Sequence, residues 1–165
     1  MTSFTIRKAR LGDVPAIYEL LKHMARRELL LPRSLSEIYE MVQTFWVGET
    51  PGGRVVGAAA LQVIWENLGE VRSLAVREEF GGQGLGRALA LAVEEEAEAL
   101  GVGRLFVLTY VPDFFAGLRF SVAPREELPQ KIWSVCFKCV KFPDDCNETA
   151  MLKNISQAIG ATRPC

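Results

Sequence analysis

Residues Val71–Gly101 read VRSLAVREEFGGQGLGRALALAVEEEAEALG. A short β-branched and apolar run, Val71–Val76, leads into a turn carrying Gly81, Gly82, Gly84 and Gly86. Apolar residues then recur at Leu85, Ala88, Leu89, Ala92, Val93, Ala97 and Leu100. That spacing is the 3.6-residue period of an amphipathic helix, and Gly101 suits its C-terminal cap. The stretch predicts strand, glycine turn and helix in succession. At such a helix start the first N–H groups lack intrahelical acceptors, the helix dipole favours negative charge, and glycine leaves the backbone approachable. A phosphate or pyrophosphate is the chemistry it suits. No Lys-Ser/Thr follows the glycines, which excludes a Walker A loop. The glycine spacing also differs from the Gly-x-Gly-x-x-Gly of dinucleotide folds.

Working outward, Phe4–Arg7 alternates as a first strand. Asp13 is placed to cap a helix with Val14, Ile17, Leu21 and Met24 on one face. Ser34-Leu-Ser-Glu37 is a capping box opening a second helix through Met41. Phe45–Glu49 and Arg54–Trp65 flank Pro51-Gly52-Gly53, a hairpin signal. Leu68-Gly69 reads as a further turn and Glu70–Val76 as a returning strand. Arg104–Thr109 is a short apolar strand after the helix, so this strand–helix–strand passage should be a right-handed parallel crossover. Pro112–Leu118 reads as a short helix, residues 120–141 as the last strand pair, and residues 147–165 as a weak helix or loose tail. The fold class is α/β (α+β), with one domain over 1–146 and a tail over 147–165.

Composition sets limits. A chain of 165 residues suits one domain with a full core. Nineteen basic residues stand against 20 acidic ones, a net charge of −1, which gives no basis for broad binding to nucleic acid or an anionic membrane. No apolar run approaches the ~20 residues of a membrane span. The start MTSFTIRKAR lacks an apolar signal core, so the expected location is the cytoplasm. Cys136-Phe-Lys-Cys139, Cys146 and Cys165 give a partial zinc spacing without a second close pair. Reduced cysteines and no bound metal are the expectation. Oligomeric state is not readable, and a homodimer stays open.

Leu74-Ala-Val-Arg-Glu-Glu-Phe-Gly-Gly-Gln-Gly-Leu-Gly-Arg-Ala-Leu89 resembles the acetyl-coenzyme A motif of the GNAT N-acetyltransferases, Arg/Gln-x-x-Gly-x-Gly/Ala after a strand. The resemblance runs from Phe4 to about Phe142. It implies antiparallel strands, a central parallel pair that splays apart, and flanking helices. It implies acetyl-CoA as cosubstrate, held by Gly81, Gly82, Gln83, Gly84, Leu85, Gly86 and Arg87, with the Leu74 and Val76 amides aimed at cofactor carbonyls. Gly81 departs from the motif, standing where Arg or Gln is usual.

A narrower resemblance is to short stand-alone bacterial N-acetylglutamate synthases. It is carried by Gly69-Glu70-Val71-Arg72-Ser73-Leu74-Ala75-Val76, Leu105-Phe-Val-Leu-Thr109 with Phe114-Phe115, Glu127-Leu-Pro-Gln-Lys131 and Leu31-Pro-Arg-Ser34. No amino-acid-kinase domain fits these 165 residues, so regulation by arginine through one is not expected. The implied reaction moves acetyl from acetyl-CoA to the α-amino group of L-glutamate, the first step of arginine biosynthesis. Such chemistry needs a base for the ammonium and a fixed donor for the tetrahedral oxyanion. Glu70 is the base candidate. Thr109 is placed to orient water or sulfur. A dicarboxylate needs cations, and Arg33, Arg72, Lys131 and Lys138 are the candidates, Arg suiting a carboxylate best. Many acetyltransferases carry Phe-Tyr-x-x-x-Gly-Phe, with the Tyr as general acid. Here Phe115 has no proton to give, and Arg119 stands in place of Gly. The alternatives are an acetyltransferase for another amine, such as an antibiotic, polyamine or protein N-terminus, and a non-catalytic acyl-CoA-binding sensor using the cysteines.

Overall fold

The computed structural model describes residues 2–128, 136–139 and 146–155. The described residues form seven strands and four α-helices: β1 Thr5–Lys8, α1 Val14–Arg26, α2 Leu35–Glu40, β2 Phe45–Glu49, β3 Val55–Trp65, β4 Leu68–Val76, α3 Leu85–Leu100, β5 Arg104–Thr109, α4 Pro112–Ala116, β6 Ser121–Val122 and β7 Thr149–Asn154. In hydrogen-bonding order the strands run β1-β2-β3-β4-β5-β7-β6. Among the described ladders, β1–β2, β2–β3, β5–β7 and β6–β7 are antiparallel, and β4–β5 is parallel. The mixed α/β class expected from the sequence is the class found.

The chain divides into two compact units. One comprises Met1–Gln62 with Val71–Val93, the other Val63–Glu70 with Glu94–Cys165. Strand β4 and helix α3 each continue from one unit into the other. In the first unit, Val14, Ile17, Leu20 and Leu21 of α1 pack with Ile38, Phe45, Val47, Val55, Ala58 and Ala60. Val14, Ile17 and Leu21 lie on the face the periodicity predicted, Leu20 joins them and Met24 packs partly buried against the cluster; their burial beside the alternating strand residues forms the core. Two glycines let α3 approach closely. A Cβ on Gly48 would lie 2.5 Å from Leu85 Cδ1, and one on Gly57 would lie 2.9 Å from Leu89 Cδ1. Ser34 behaves as predicted: its Oγ accepts from Glu37 N–H at 3.1 Å while Glu37 Oε2 accepts from Ser34 N–H at 2.6 Å. The Ser34 N–H bond, outweighing desolvation and helped by the Ser34 hydroxyl and the Arg33 charge, leaves the Glu37 carboxyl below the usual range.

In the second unit, Leu68, Phe106, Leu128 and Ala150 form a smaller core backed by Ile64, Leu108 and Leu152. Helix α3 ends as predicted. Gly101 has φ +88, its N–H reaches Glu98 O and the Val102 N–H reaches Ala97 O, the double bond of a Schellman cap.

Four local expectations are corrected. Residues 149–154 lie in the expected tail, yet they form β7, which pairs along all of β5 from Arg104↔Asn154 to Thr109↔Thr149. Pairing to a formed strand outweighs a weak local pattern. In the expected last strand pair over 120–141, Ser121–Val122 forms β6 and pairs with β7, in the register Ser121↔Leu152 and Val122↔Met151, while residues 129–135 and 140–141 lie outside the described residues. Asp13 precedes α1 but makes no side-chain cap to it. Its carboxylate instead accepts from Arg7 Nη1 at 2.7 Å, Arg7 Nη2 at 2.9 Å and the Arg10 N–H at 2.7 Å. The turn expected at Leu68-Gly69 sits two residues earlier, at Glu66-Asn67, because Leu68 is buried and already opens β4.

Candidate active site

The glycine turn lies in the first unit, between β4 and the start of α3. Gly81 gives its N–H to Glu78 O at 2.9 Å, so it shapes the turn. Gly82 and Gly84 take φ +70 and +85, the left-handed region where glycine carries no steric cost. The first helical bond of the turn is Ala88 N–H to Gly84 O. The N–H groups of residues 82–87 have no hydrogen-bond acceptor among the described residues. Leu85 is 1% exposed, with its side chain turned onto Gly48 and Gly57, so it can offer a ligand only its backbone. Gln83 ties the turn back through Nε2 to Glu79 O at 3.3 Å. Arg87 is exposed and has no ion-pair partner among the described residues. The arrangement is a set of uncommitted donors at the positive end of a helix, with a spare cation in its first turn. Two carboxylates lie upstream. Glu79 stays ionised, held below the usual range first by its own N–H, with the Arg54 guanidinium at 3.3 Å partly neutralising it.

Strand β4 leads into this turn. Leu74 and Val76 are partly exposed around buried Ala75. Ser73 has φ +54, a left-handed non-glycine residue inside a strand. That conformation turns the neighbouring peptide units out of ladder geometry, and such strain gathers at functional positions. Nothing in the sequence signalled it. Arg72 is buried, at 9% exposure, so it is no solvated surface charge. Arg33, just before α2, has its side chain 21% exposed and lies 3.9 Å from Glu37.

The other candidates lie in the second unit. Glu70 is 4% exposed and Thr109 6%. The parallel ladder contains Gly69↔Leu105 and Glu70↔Phe106, so Glu70 sits where β4 and β5 cease to pair. Strand alternation puts Glu70 on the face of Phe106 and Thr109 on the opposite face. The two groups therefore serve different sides of the sheet. Thr109 Oγ1 accepts from Val111 N–H at 2.9 Å, which fixes the hydroxyl oxygen and leaves its proton to be donated elsewhere. Phe115 is 2% exposed and packs edge-on to Phe114 and Phe120, with centroids 5.0 and 5.4 Å apart. It is a core residue. Lys138 is exposed in a 3-10 turn, and Lys131 lies outside the described residues. Cys136, Cys139 and Cys146 are free thiols. Arg125 Nη2 donates to Cys146 Sγ at 2.8 Å and to Glu148 O at 3.0 Å. Among the described residues no His/Cys/Asp/Glu group is placed to hold a metal, and Cys165 lies outside them. No helix among them is long and apolar enough to cross a membrane.

A mixed sheet whose parallel β4–β5 step passes through a glycine turn opening a long helix defines an α/β class suited to a phosphate-bearing acyl carrier. Residues 14–120 match the acetyltransferase (GNAT) family, and the chain belongs to that family. An uncharacterized N-acetyltransferase from Chlorobaculum tepidum is 37% identical over 91% of this chain and 96% of its own. An amino-acid acetyltransferase from Mycobacterium tuberculosis is 44% identical over 118 residues, 70% of this chain and 67% of its own. The N-acetylglutamate synthase of Neisseria gonorrhoeae, solved with coenzyme A and N-acetyl-glutamate, superposes with a TM-score of 0.82 at 25% identity, covering 95% of this chain and 36% of that one.

Proposed function

We propose that this chain transfers the acetyl group of acetyl-CoA to the α-amino group of L-glutamate, and so acts at the start of arginine biosynthesis in the cytoplasm. The observation that carries the reading is the row of uncommitted N–H groups over residues 82–87 at the start of α3. The coenzyme A and N-acetyl-glutamate of the Neisseria structure and the name of the Mycobacterium relative support the acceptor.

In this reading Gly82–Arg87 hold the pyrophosphate through backbone donors, and Gly81 shapes the turn. The strained peptide units around Ser73, with the Leu74 and Val76 amides, meet the pantetheine carbonyls and the developing oxyanion. Glu70 takes a proton from the α-ammonium, directly or through water. The free amine then forms its C–N bond at the thioester carbonyl. Collapse of the tetrahedral adduct breaks the C–S bond, and the amide nitrogen gives up its second proton to water. The coenzyme A thiolate leaves, and the Thr109 hydroxyl, whose oxygen is fixed by Val111 N–H, supplies or relays a proton to sulfur. Arg33, Arg72, Lys131 and Lys138 are the cations available to the two carboxylates of glutamate.

Thiol release from acetyl-CoA with L-glutamate, other amino acids, spermidine and a peptide N-terminus tests the reading. Glutamate should be the preferred acceptor. Faster acetylation of spermidine or the peptide would replace glutamate with another amine, and no thiol release with any amine would leave a binding protein.

A further inference from the structure

Two carboxylates stand shortly before the N–H groups of residues 82–87, where an anion is proposed to bind. Left to themselves, Glu78 and Glu79 would repel it. Each is instead held by a cation from another part of the first unit. Glu78 Oε1 pairs with Arg27 Nη1 at the end of α1, and His23 Nε2, one helical turn back, lies 3.6 Å from the same oxygen. Glu79 Oε1 meets Arg54 Nη2 of the β2–β3 hairpin at 3.3 Å. Phe80 packs edge-on against Phe4, with ring centroids 5.8 Å apart. Three consecutive residues are thus tied to three separate segments.

The same residues also hold the glycine turn. Glu78 O accepts from Gly81 N–H at 2.9 Å, and Glu79 O accepts from Gln83 Nε2 at 3.3 Å. Side chains fix the 3-10 turn Glu78–Phe80 to the rest of the unit, and its carbonyls fix the start of the donor row. The Arg27 end of the tether is itself defined. Helix α1 stops at a left-handed Glu28, φ 58, whose N–H reaches Ala25 O at 3.0 Å while the Leu29 N–H reaches Met24 O at 3.1 Å. That double bond sets where the helix ends, so the guanidinium is presented from a capped end and not a frayed one.

We propose that Glu78 is a positioning residue for the cofactor: its pair with Arg27 holds the 78–80 turn so that the N–H groups of residues 82–87 are aligned before coenzyme A arrives. The inference rests on the reading of those N–H groups as pyrophosphate donors. Loose donors must be ordered on binding, and a tether that orders them beforehand removes that cost from the affinity. Tethering and simple electrostatics then call for opposite signs. Removing the Glu78 charge relieves repulsion and tightens an anion, whereas removing the tether weakens it.

Calorimetric titration of the full chain with coenzyme A reads that sign. Glu78→Gln should weaken coenzyme A by about two- to fivefold, the scale of an exposed ion pair, while the melting temperature stays near the parent's. In an Arg27→Gln background the tether is already gone, so adding Glu78→Gln should weaken binding no further. Glu19 is an exposed acid lining the same hollow as Glu78, with no ion pair among the described residues. Glu19→Gln removes the same charge without a tether and should not weaken coenzyme A. Equal or tighter binding by Glu78→Gln overturns the proposal, as does an undiminished loss in the Arg27→Gln background or an equal loss in Glu19→Gln. Gly84→Asp separates the two readings. If it binds coenzyme A as the parent does, the donor row is wrong and the positioning role falls with it. If it loses coenzyme A while Glu78→Gln does not, the donor row stands and only the positioning role is refuted.

Discussion

Gly84→Asp separates folding from cofactor binding at the glycine turn. Gly84 holds φ +85, and a Cβ added there would meet nothing within 4 Å. The cost is therefore conformational, ~1–2 kcal/mol for a left-handed residue with a side chain, and Asp is among the residues that tolerate this region best. The new carboxylate stands one residue before Leu85. It can accept the orphan N–H groups of the first turn of α3 and complement the dipole, a gain of ~0.5–1 kcal/mol. The two nearly cancel. Stability should fall by no more than ~1.5 kcal/mol, or ~6 °C in Tm. Cofactor binding has no such compensation. One carboxylate about 5 Å from two pyrophosphate charges is repelled by ~1.7 kcal/mol at a dielectric of ~80 and ~6.6 kcal/mol at ~20. It also occupies the donors the pyrophosphate needs. At ~1.4 kcal/mol per decade, even the lower figure weakens coenzyme A by more than tenfold. Calorimetric titration with coenzyme A, alongside a melting curve, reads both effects. Gly12→Ala, at another open position, should change neither. A Gly84→Asp protein that melts near the parent and binds coenzyme A within twofold of it would refute the assignment of the turn.

Three further outcomes are expected. Arg33→Leu should mainly raise the glutamate KM, with ~2–4 kcal/mol lost from kcat/KM, while Glu70→Gln should mainly lower kcat, by ~10²–10⁴-fold, with partial recovery as pH rises and more amine is free; steady-state kinetics across pH distinguishes them, and a parent-like kcat in Glu70→Gln at neutral pH would remove the base. Gly48→Ala places a methyl 2.5 Å from Leu85 Cδ1 and should destabilise the fold by ~1–3 kcal/mol through overpacking, read as a lower urea midpoint. Asp13→Asn should cost ~1–3 kcal/mol at neutral pH, because it breaks the paired contact with Arg7. The Arg7 hydrogen bonds hold the Asp13 carboxyl below its usual range, so this stabilisation is complete above about pH 4 and fades as pH drops through the lowered value. Urea unfolding of parent and variant should converge in strong acid, and a difference that grows there would be contrary.

The elements that speak locally were readable. Ser34 and Glu37 identify a helix start by side-chain chemistry alone, and Gly101 identifies a helix end. The 3.6-residue stripe of α3 and the Pro51-Gly52-Gly53 hairpin gave type and near-correct bounds. What failed were elements made by a partner. Thr149–Asn154 carries weak strand character, and it becomes β7 because β5 offers a full row of backbone groups to pair with. Asp13 looked like a helix cap because it precedes α1, but Arg7 lies across the turn with two N–H groups for its carboxylate. A charged partner six residues away outweighs a cap bond that the sequence position alone would suggest.

The candidate site divides along the same line. The half proposed to bind an anion is backbone chemistry, and glycine positions announce backbone chemistry directly. Residues 82–87 were therefore legible as donors before any coordinates, although the sequence could not show that Gly81 commits its own N–H to Glu78. The proton-handling half depends on burial and on faces. Glu70 reads in sequence as any acid at a strand start. Only its 4% exposure, and its place at the last pair of the β4–β5 ladder, set it apart from a solvated edge residue. Phe115 shows the reverse: its lack of a hydroxyl was plain, and its packing between Phe114 and Phe120 explains why none is needed there. In the mechanism proposed above, a hydroxyl held elsewhere supplies the proton for the departing thiolate. Thr109 has its oxygen pinned by Val111 N–H and lies on the face of the sheet opposite Glu70, and on those grounds the proposed mechanism gives Thr109 the sulfur and Glu70 the amine.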